Sequence, residues 1–598
     1  PGWLAIRLDL AGLFYTAGSL AGAWNFAGAG LRAVRTLKLD MNFLMSAAIV
    51  GAILIGEPFE AATLAFLFSL AELLERFAVD RGRRSIARLV ELAPEQADRL
   101  LPDDSVETVP VAELRPGDRV RIRPGDKIPA DGRVAAGGSA VNEATITGES
   151  QPRHKDVDDP VFAGSLNTEG ALDIEVTADA AHSTLARIIQ LVREAEARRA
   201  PIERFVQRFA RVYTPLVTAG AVLVMVVPPL VFGASGLEWF VRGLTLLVIA
   251  CPCALVIATP VTVVSALTSA ARHGVLIKGG EHLEALGSVR ALAVDKTGTL
   301  TMGRLRVTGF HAADGTAPLV LLQRVATVEA RSEHPIAQAI VRFAEERGIR
   351  AHAQVDDFTA LPGRGVRAKM NGHDILVGTE TFVGPGPAAR WKGAEPGTML
   401  IYLRTDDGLE GVFTIQDEVR PEAQAVVAWL HGFGVRPIVM LTGDGPETAQ
   451  MVGRLIGVDE VRARLLPEDK VHAVRALREI HGTVAMLGDG VNDAPALAEA
   501  TVGLAMGAAG SPATIETADV ALMADDLTKL PYAVRLARRA RRTIRFNIAL
   551  ALGLKLVLAI GAVMGVVSLA VAVLVGDMGG SLAVTVNALR LSRTGSDS

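Results

Sequence analysis

The side chain with the clearest chemical potential in this chain is the carboxylate of Asp295. It opens the string DKTGTLT and follows the apolar run Ala291 to Val294, which predicts a buried strand. A carboxylate at the mouth of such a strand can attack the terminal phosphate of a nucleoside triphosphate if Mg²⁺ screens its charge. Neighbouring hydroxyls and backbone amides must also hold the phosphate oxygens, and the threonines and glycine that follow supply those groups. The string therefore indicates covalent phosphoryl transfer to Asp295.

Two further apolar runs end in charged motifs and predict strands of the same sheet. The run 437–441 precedes the string TGD, and the run 484–487 precedes the string GDGVND. This alternation predicts a doubly wound α/β sheet, in which ligands bind beyond the carboxyl ends of the strands. We therefore expect Asp295, Thr442 and Asp489 to meet in one crevice.

A polar stretch at about 85–200 is rich in Val, Thr and Gly and contains Arg-Pro-Gly-Asp turn signals, which predict a compact β domain. Within it, Thr147-Gly148-Glu149-Ser150 places a carboxylate on a tight glycine turn. Alone, this tetrapeptide would be an ordinary turn. An enzyme that forms a covalent intermediate, however, needs a base for the second, hydrolytic step, and Glu149 is the candidate.

These strings together resemble the P-type ATPases, and the resemblance extends along the whole chain. It implies that Asp295 is the nucleophile and that Glu149 of the actuator domain aligns water against the aspartyl phosphate. It also implies that Asp489, the Asp295 carboxylate and the Thr297 carbonyl bind Mg²⁺. Thr442 and Lys470 would contact the phosphoryl group, and Asn492 and Asp493 would support them. Taken alone, Lys470 in the string LPEDK would be a solvated helix residue.

The segment at about 303–415 interrupts the predicted sheet and resembles an inserted nucleotide-binding domain. It contains His334-Pro335 and the pair Gly363 and Gly365. In heavy-metal P-type ATPases such motifs line the adenine pocket, so the resemblance implies that they bind ATP. Each motif alone is a weak signal. Glu329, Asp417 and Arg420 are further candidates for the pocket and its hinge.

Composition places much of the chain in a lipid bilayer. Half of the residues are hydrophobic, 21% are charged, and the net charge of −4 does not favour a nucleic-acid partner. Seven apolar runs approach the roughly 20 residues that cross a bilayer, and they lie at 8–30, 41–56, 61–79, 212–233, 240–262, 546–566 and 567–589. The first could instead be an interfacial helix. Because the count is odd, we expect a further helix, and a soluble domain with it, before Pro1.

Arginines flank these runs and predict that the polar regions lie in the cytoplasm. We therefore expect a multidomain membrane protein in which an α-helical transmembrane bundle carries a β-rich actuator domain, a haloacid-dehalogenase-like phosphorylation domain and an inserted α+β nucleotide-binding domain. The predicted boundaries are 1–84, 201–280 and 531–598 for membrane helices, 85–200 for the actuator, 281–302 and 416–530 for phosphorylation, and 303–415 for nucleotide binding.

The two cysteines of the chain, Cys251 and Cys253, flank Pro252 in the middle of an apolar run. Proline breaks the helix there, so two side chains only two residues apart can turn toward one point. We expect no disulfide between residues this close. Thiolates prefer Zn²⁺, Cd²⁺, Pb²⁺ or Cu⁺ to hard cations, so the pair is a candidate site for a soft metal ion. The alternative is that both cysteines are structural residues of the core. The motif resembles the heavy-metal branch of the family.

Lys555 and Asp577 are charged residues near the middle of the last two apolar runs, where a functional role is the default. Asp577 offers an oxygen ligand for Zn²⁺, and the Lys555 ammonium can neutralise it when no metal is bound. Two thiolates and one carboxylate balance Zn²⁺ and the ammonium, so the loaded site is neutral. A structural ion pair is the alternative. The pattern resembles the zinc, cadmium and lead class rather than the Cu⁺ exporters.

Glu72 is the candidate for a transient metal ligand on the exit route. Alternatively, its side chain only extends to the membrane interface and binds no metal. The chain is thus expected to export Zn²⁺, Cd²⁺ or Pb²⁺ with ATP and Mg²⁺, as a monomer in a bacterial inner membrane. A Cu⁺ pump and a membrane-tethered phosphatase of the dehalogenase type are the other hypotheses.

Overall fold

The computed structural model describes most of the chain in two compact units, 1–288 with 532–598 and 289–531. The described residues are 41–54, 61–67, 94–143, 152–179, 182–186, 200–313, 317–350, 355–361, 364–370, 372–384, 398–406, 408–489, 493–507 and 518–593, with a few single positions before 94 and at 190. Of the predicted apolar runs, 8–30 lies almost entirely outside these residues and 61–79 lies partly outside them.

Among the described residues, four helical segments of the first unit are long and apolar enough to cross a membrane: Pro201–Phe232, Gly236–Arg272, Lys529–Val563 and Leu569–Ser592. They contain the run predicted at 240–262 and cover most of the runs predicted at 212–233, 546–566 and 567–589. The shorter helix Met41–Leu54 covers most of the run 41–56. Many side chains on the outer faces of the long helices are exposed apolar residues, for example Leu230 and Val557, which is what a lipid environment requires.

Two of these segments are interrupted where chemistry is expected. The second consists of Gly236–Ile249 and Cys253–Arg272, here called the Cys253 helix, because Pro252 cannot donate a backbone hydrogen bond. The last consists of Leu569–Val571, a π-helical turn at Ala572–Gly579 and Gly580–Leu589. The helix Lys529–Val563 is here called the Lys555 helix.

The soluble part of the first unit is a β domain. Its six-stranded antiparallel sheet has the order Val106–Pro110, Gln96–Leu100, Arg119–Ile122, Leu172–Val176, Gly132–Gly137 and Pro160–Val161, and a smaller sheet has the order Arg153–Lys155, Ser139–Asn142 and Leu166–Asn167. The predicted turns form because Asp118 and Asp126 accept hydrogen bonds from the backbone three residues earlier. The unit also contains the strand Val275–Ile277 and the helix Gly280–Gly287.

The second unit is built on parallel strands. In order across the sheet, these are Val520–Leu522, Val502–Ala505, Val484–Gly488, Ala291–Asp295, Ile438–Leu441 and Glu460–Arg462. Helices connect them at Ala423–Gly432, Pro446–Ile456, Pro467–His481 and Ala494–Glu499. The strand that ends at Asp295 lies between the two strands that precede the other motifs, so the predicted doubly wound sheet is confirmed.

An inserted domain leaves this sheet directly after the Asp295 loop. Its antiparallel sheet has the order Thr301–Ala312, Gly408–Val419, Met399–Thr405, His373–Gly378, Gly365–Met370 and Asp356–Leu361. Its helices are Pro318–Glu329, Pro335–Glu345 and Glu380–Val383. The outgoing and returning strands pair at Thr301 and Val419, so one strand pair joins the insertion to the parallel sheet.

Candidate functional site

Asp295 ends its strand in a buried carboxylate that faces a lysine. Lys470 Nζ donates to Asp295 Oδ1 at 2.5 Å and to Asp493 Oδ1 at 2.7 Å. Asp469 accepts a hydrogen bond from the backbone N–H of Leu466 and so fixes the start of the helix that presents Lys470. The structure therefore brings Lys470 to Asp295 from 175 residues away, and its contact with the phosphoryl group stays a prediction.

The other predicted phosphoryl-site residues lie around the same strand ends. Thr442 is buried, and its hydroxyl accepts from the backbone N–H of Asp444 at 3.1 Å. Asp489 follows the strand that pairs with the Asp295 strand, and Thr297 is exposed. Glu149 lies outside the described residues, as do Asn492 and the rest of the Thr147–Ser150 motif. Their roles stay predictions.

The intramembrane candidates form one cluster in the first unit. Single ligand atoms of Cys251, Cys253 and Asp577 all lie within 4.8 Å of one another. Cys253 Sγ is 3.7 Å from Asp577 Oδ2, and Lys555 Nζ is 3.6 Å from Asp577 Oδ1. Lys555 also donates to the carbonyl oxygen of Ile249 at 3.0 Å. That carbonyl belongs to the end of the helix before the Cys-Pro-Cys break, so the break supplies a partner for the lysine.

The expectation that Cys251 and Cys253 form no disulfide is wrong. Cys251 and Cys253 form a disulfide, with Cα atoms 5.5 Å apart. The break at Pro252 turns both side chains to the same side, which brings residues only two apart into disulfide range. Because a metal is bound by thiolates, the metal-binding form is the reduced one.

A cavity of about 600 Å³ lies in the inserted domain and has the size expected for a nucleoside. His334 and Gly365 line it, as predicted, and so does Glu329. His334 Nδ1 accepts from the backbone N–H of Ile336 at 3.3 Å and caps the helix that begins at Pro335. A neutral ring then carries its proton on Nε2, which leaves a donor for a ligand. Gly363 lies outside the described residues.

Two family profiles match the chain: the P-type ATPase actuator domain at residues 91–193 and the haloacid dehalogenase-like hydrolases at residues 289–501. A probable cadmium-transporting ATPase of Staphylococcus aureus strain MRSA252 is 42% identical over 592 residues, which are 97% of this chain and 81% of the relative. The chain belongs to the metal-transporting P-type ATPases.

Two further comparisons agree with this assignment. The zinc/cadmium/lead-transporting P-type ATPase of Escherichia coli strain K12 is 42% identical over 588 residues, 97% of this ATPase and 79% of the relative. The crystal structure of a zinc-transporting PIB-type ATPase in the E2.Pi state is 41% identical, has a TM-score of 0.66, and is matched over 99% of this ATPase and 97% of that chain. The predicted family, multidomain membrane fold, membrane location and cofactors, ATP and Mg²⁺, are thereby confirmed.

The phosphorylation site of the ATPase carries an excess of negative charge. Burial and the neighbouring Asp493 raise the pKa of Asp295 to about 6, although Lys470 lowers it. Burial lowers the pKa of Lys470, but the two carboxylates that it contacts outweigh burial and raise that pKa overall. Asp489 adds a third nearby carboxylate. Three carboxylates and one ammonium leave a net negative charge that suits a cation, and the oxygens of Asp295, Asp489 and the Thr297 carbonyl, the predicted ligands, are of the kind that Mg²⁺ prefers.

Asp417 and Arg420 contact the loop after Asp295 instead of lining the nucleotide cavity. Asp417 Oδ2 accepts from the Thr301 hydroxyl at 2.6 Å. The buried Arg420 donates to the carbonyl oxygen of Thr299 at 2.9 Å and to Asp525 Oδ1 at 2.7 Å. These contacts agree with the hinge position expected for both residues and give no support to a direct contact with adenine.

Lys296 and Asp444 were not identified from the sequence, and Asp493 was expected only as a supporting residue. Lys296 Nζ lies 2.5 Å from Asp444 Oδ2, and both residues belong to the phosphate motifs. This ion pair joins the Asp295 loop to the next strand of the sheet. Both residues could have been noticed in the sequence, since each follows a predicted strand. Their spacing, however, does not indicate that they form an ion pair.

Replacement of Gly365 by alanine is expected to weaken ATP binding. Gly365 has φ +147°, and an added Cβ would lie 2.1 Å from the Val377 carbonyl oxygen at the cavity wall. The added methyl group can be accommodated only if the Val377 strand at the cavity wall shifts, so we expect roughly a tenfold rise in the dissociation constant of ATP, about 1.4 kcal/mol. Titration of the full-length protein with a fluorescent ATP analogue measures it.

Gly372→Ala is the matched control, because Gly372 also has a positive φ, +84°, but no atom lies within 4 Å of the added Cβ. It should bear the backbone strain without narrowing the cavity and should bind ATP as the wild type does. Equal weakening in both variants would attribute the effect to general strain and contradict the role of Gly365 in the cavity.

Glu329 should make the stability of the inserted domain depend on pH. Burial raises the pKa of this carboxyl from 4.5 to about 7. A raised folded-state pKa means that the folded state holds a proton that the unfolded state releases, so stability falls between pH 4.5 and about 7 and stays low above that. From about pH 6 to 8.5 we expect a loss of about 1 to 2 kcal/mol.

Hydrogen exchange of the helix Pro318–Glu329 measures this loss, after correction for the intrinsic exchange rate at each pH. Glu329→Gln, which cannot ionise, should abolish the extra loss of protection. If the glutamine variant loses protection as steeply as the wild type, ionisation of Glu329 is not its cause.

Proposed function

We propose that this ATPase exports Zn²⁺, and also Cd²⁺ and Pb²⁺, from the bacterial cytoplasm with the free energy of ATP hydrolysis. The observation that carries the proposal is the convergence of Cys251, Cys253 and Asp577 within 4.8 Å inside the membrane unit, beside Lys555. Two soft sulfur ligands with one carboxylate suit these divalent ions better than Na⁺, Ca²⁺ or Mg²⁺. The names of the two bacterial relatives support the same substrates.

Each turnover begins, in this proposal, when a metal ion from the cytoplasm occupies the reduced cysteines and Asp577. Asp295 then attacks the terminal phosphorus of ATP, whose adenosine lies against His334, Glu329 and Gly365. The bond to the bridging oxygen breaks, and ADP leaves. Lys470 and Thr442 hold the phosphoryl oxygens. Bound Mg²⁺ supplies charge neutralisation for the transferred phosphoryl group. Glu149 of the actuator loop later orients the water that hydrolyses the aspartyl phosphate, and the helices return to the inward-facing state.

The ammonium of Lys555 sets the charge of the empty and loaded site. With metal bound, two thiolates and Asp577 balance the ion and Lys555. After release, Lys555 and Asp577 neutralise each other at 3.6 Å, and the cysteines can take up protons. Neither state then leaves a large net charge in lipid, where an unpaired charge is costly. We propose Glu72 as a transient ligand on the way out; it lies outside the described residues.

We further infer that the ATPase functions as a monomer without a nucleic-acid partner. We also propose the domain boundaries predicted from the sequence, which include 85–200 for the actuator and 303–415 for nucleotide binding. A Cu⁺ pump would use hydroxyl, amide and thioether ligands, whereas the cluster that the described residues form offers two sulfur atoms and a carboxylate. Asn547, one candidate for such a ligand, donates to the Val584 carbonyl oxygen at 3.2 Å. A copper pump and a tethered phosphatase are therefore not favoured.

ATPase activity of the purified, reduced protein with Zn²⁺, Cd²⁺, Pb²⁺ or Cu⁺ tests the proposal, with Asp295→Asn as the blank. Stimulation by the divalent ions and not by Cu⁺ is the expected result. Stimulation by Cu⁺ alone would assign the chain to the copper exporters. Phosphate-ester hydrolysis without any metal response would favour the phosphatase.

A further inference from the structure

The cytoplasmic end of the Lys555 helix has more positive charge than membrane orientation requires. Six arginines occur between residues 535 and 545, and no acidic residue occurs between Asp526 and Asp577. Clusters of this density next to a membrane helix attract anionic lipid headgroups. Charge density alone does not locate a binding site, however. The positions of the individual arginines show where an anionic ligand could bind.

Arg541 and Arg545 differ from their neighbours because they line a cavity of the first unit. Its walls are apolar. Four helices build them, with Val263 of the Cys253 helix, Leu283 of the helix Gly280–Gly287, Ile202 of the helix Pro201–Phe232, and Ala537, Ala540 and Ile544 of the Lys555 helix. These apolar residues are buried except Ile202, which is half-buried like Arg541, and Arg545 is exposed. The cavity is therefore apolar inside and cationic at its rim.

The two rim arginines are available for a ligand. Neither makes an ion pair or hydrogen bond with any residue in the described part of the chain, and the same is true of Arg539 and Arg542. Arg541 and Arg545 are one helical turn apart, about 6 Å along the helix axis, so both guanidinium groups can reach one phosphate. Each presents planar donors that phosphate oxygens accept.

Glu284 is the acidic residue at this cavity, and it already has a partner. Its Oε2 accepts from the backbone N–H of Ile202 at 3.2 Å, at the start of the helix Pro201–Phe232. An anionic ligand would be repelled by Glu284 and attracted by the arginines, so its phosphate belongs at the Arg541 and Arg545 rim.

We propose that this cavity binds one anionic phospholipid of the cytoplasmic leaflet, with its phosphate between Arg541 and Arg545 and its glycerol and proximal acyl carbons against the apolar wall. Charge complementarity selects the phosphate, and the buried apolar wall selects a lipid over a free anion. The position also fits, because the apolar part of the Lys555 helix begins directly after Arg545. A lipid there would contact the Cys253 helix, which carries one of the metal-ligand candidates, and the Lys555 helix, although its binding does not depend on the proposed function.

Native mass spectrometry of the full chain, reconstituted in phosphatidylcholine bilayers with phosphatidylglycerol and then released, measures retained anionic lipid. The test variant is Arg541→Gln with Arg545→Gln. The matched control, Arg539→Gln with Arg542→Gln, removes the same charge from the same helix but no cavity residue. We expect the test variant to lose roughly thirtyfold in preference for phosphatidylglycerol, at about five- to sixfold per arginine, and the control to keep most of it.

Equal losses in both double variants would mean a diffuse basic belt and would overturn the site. Absence of any preference in the wild type would do the same. Inorganic phosphate at millimolar concentration should not displace the lipid; full displacement would point to a site for free phosphate. Arg541→Lys with Arg545→Lys keeps the charge and should retain the lipid, so a loss there, in a variant with wild-type thermal stability, would contradict charge complementarity.

Discussion

Replacement of Lys470 by alanine is expected to lower the rate of phosphoenzyme formation from ATP by about 100- to 1,000-fold, the usual effect of losing one preorganised donor to a developing anion. Lys470 is the cation that contacts both Asp295, at 2.5 Å, and Asp493, at 2.7 Å. Without it, two buried carboxylates face each other and repel the incoming triphosphate. Rapid-quench measurement of ³²P incorporation from labelled ATP gives the rate.

Arg475→Gln is the matched control, because Arg475 lies on the same helix, Pro467–His481, and forms an ion pair with Glu499. Arg475 is largely exposed, so loss of its pair should leave phosphorylation within about twofold of the wild type. Lys470→Arg keeps the charge with a longer, planar group and should recover only part of the rate. A wild-type rate in Lys470→Ala would show that Lys470 does not contact the reacting phosphate.

Asp577→Asn is expected to abolish stimulation of the ATPase by Zn²⁺ and to lower the stability of the membrane unit. The change removes the carboxylate ligand and leaves the Lys555 ammonium buried, with the Ile249 carbonyl as its remaining partner among the described residues. Breaking a buried ion pair costs about 3 to 5 kcal/mol. Lys555→Met should destabilise by a similar amount because it leaves Asp577 buried and unpaired.

The double variant, Lys555→Met with Asp577→Asn, separates the structural role from metal binding. It contains neither buried charge, so most of the lost stability should return, whereas Zn²⁺ stimulation should not. Thermal unfolding in detergent measures stability, and ATP turnover measures the metal response. If both single variants keep wild-type Zn²⁺ stimulation, the charge-balance account is wrong; if the double variant regains stimulation, Asp577 is a structural residue and not a ligand.

The parts of the fold that follow from local patterns were predictable from the sequence. The strand ending at Asp295 and its two neighbours could be found because parallel strands buried on both faces are continuous apolar runs, and the motifs follow them directly. Lys555 and Asp577 were identifiable because a charge in the middle of an apolar span is rare and needs a partner. Their 3.6 Å contact agrees with that reasoning.

Other features depend on tertiary contacts that leave no pattern in the chain. Arg420 donates to backbone carbonyls of the Asp295 loop, and a carbonyl is available at every residue, so the sequence could not identify the partner. Asp577 lies in a π-helical turn, a change of hydrogen-bond register that hydropathy does not report. The disulfide between Cys251 and Cys253 depends on how far the backbone turns at Pro252.

ATP-driven movement of Zn²⁺ shows whether Cys251, Cys253 and Asp577 are the transport site. The reduced protein is reconstituted in proteoliposomes containing a Zn²⁺-sensitive dye, and ATP with Mg²⁺ is added outside. We expect Zn²⁺ accumulation that requires ATP and disappears in Asp295→Asn and Asp577→Asn. ATP hydrolysis by the wild type without Zn²⁺ accumulation, or accumulation that survives in Asp577→Asn, would contradict the assignment of Cys251, Cys253 and Asp577 as the transport site.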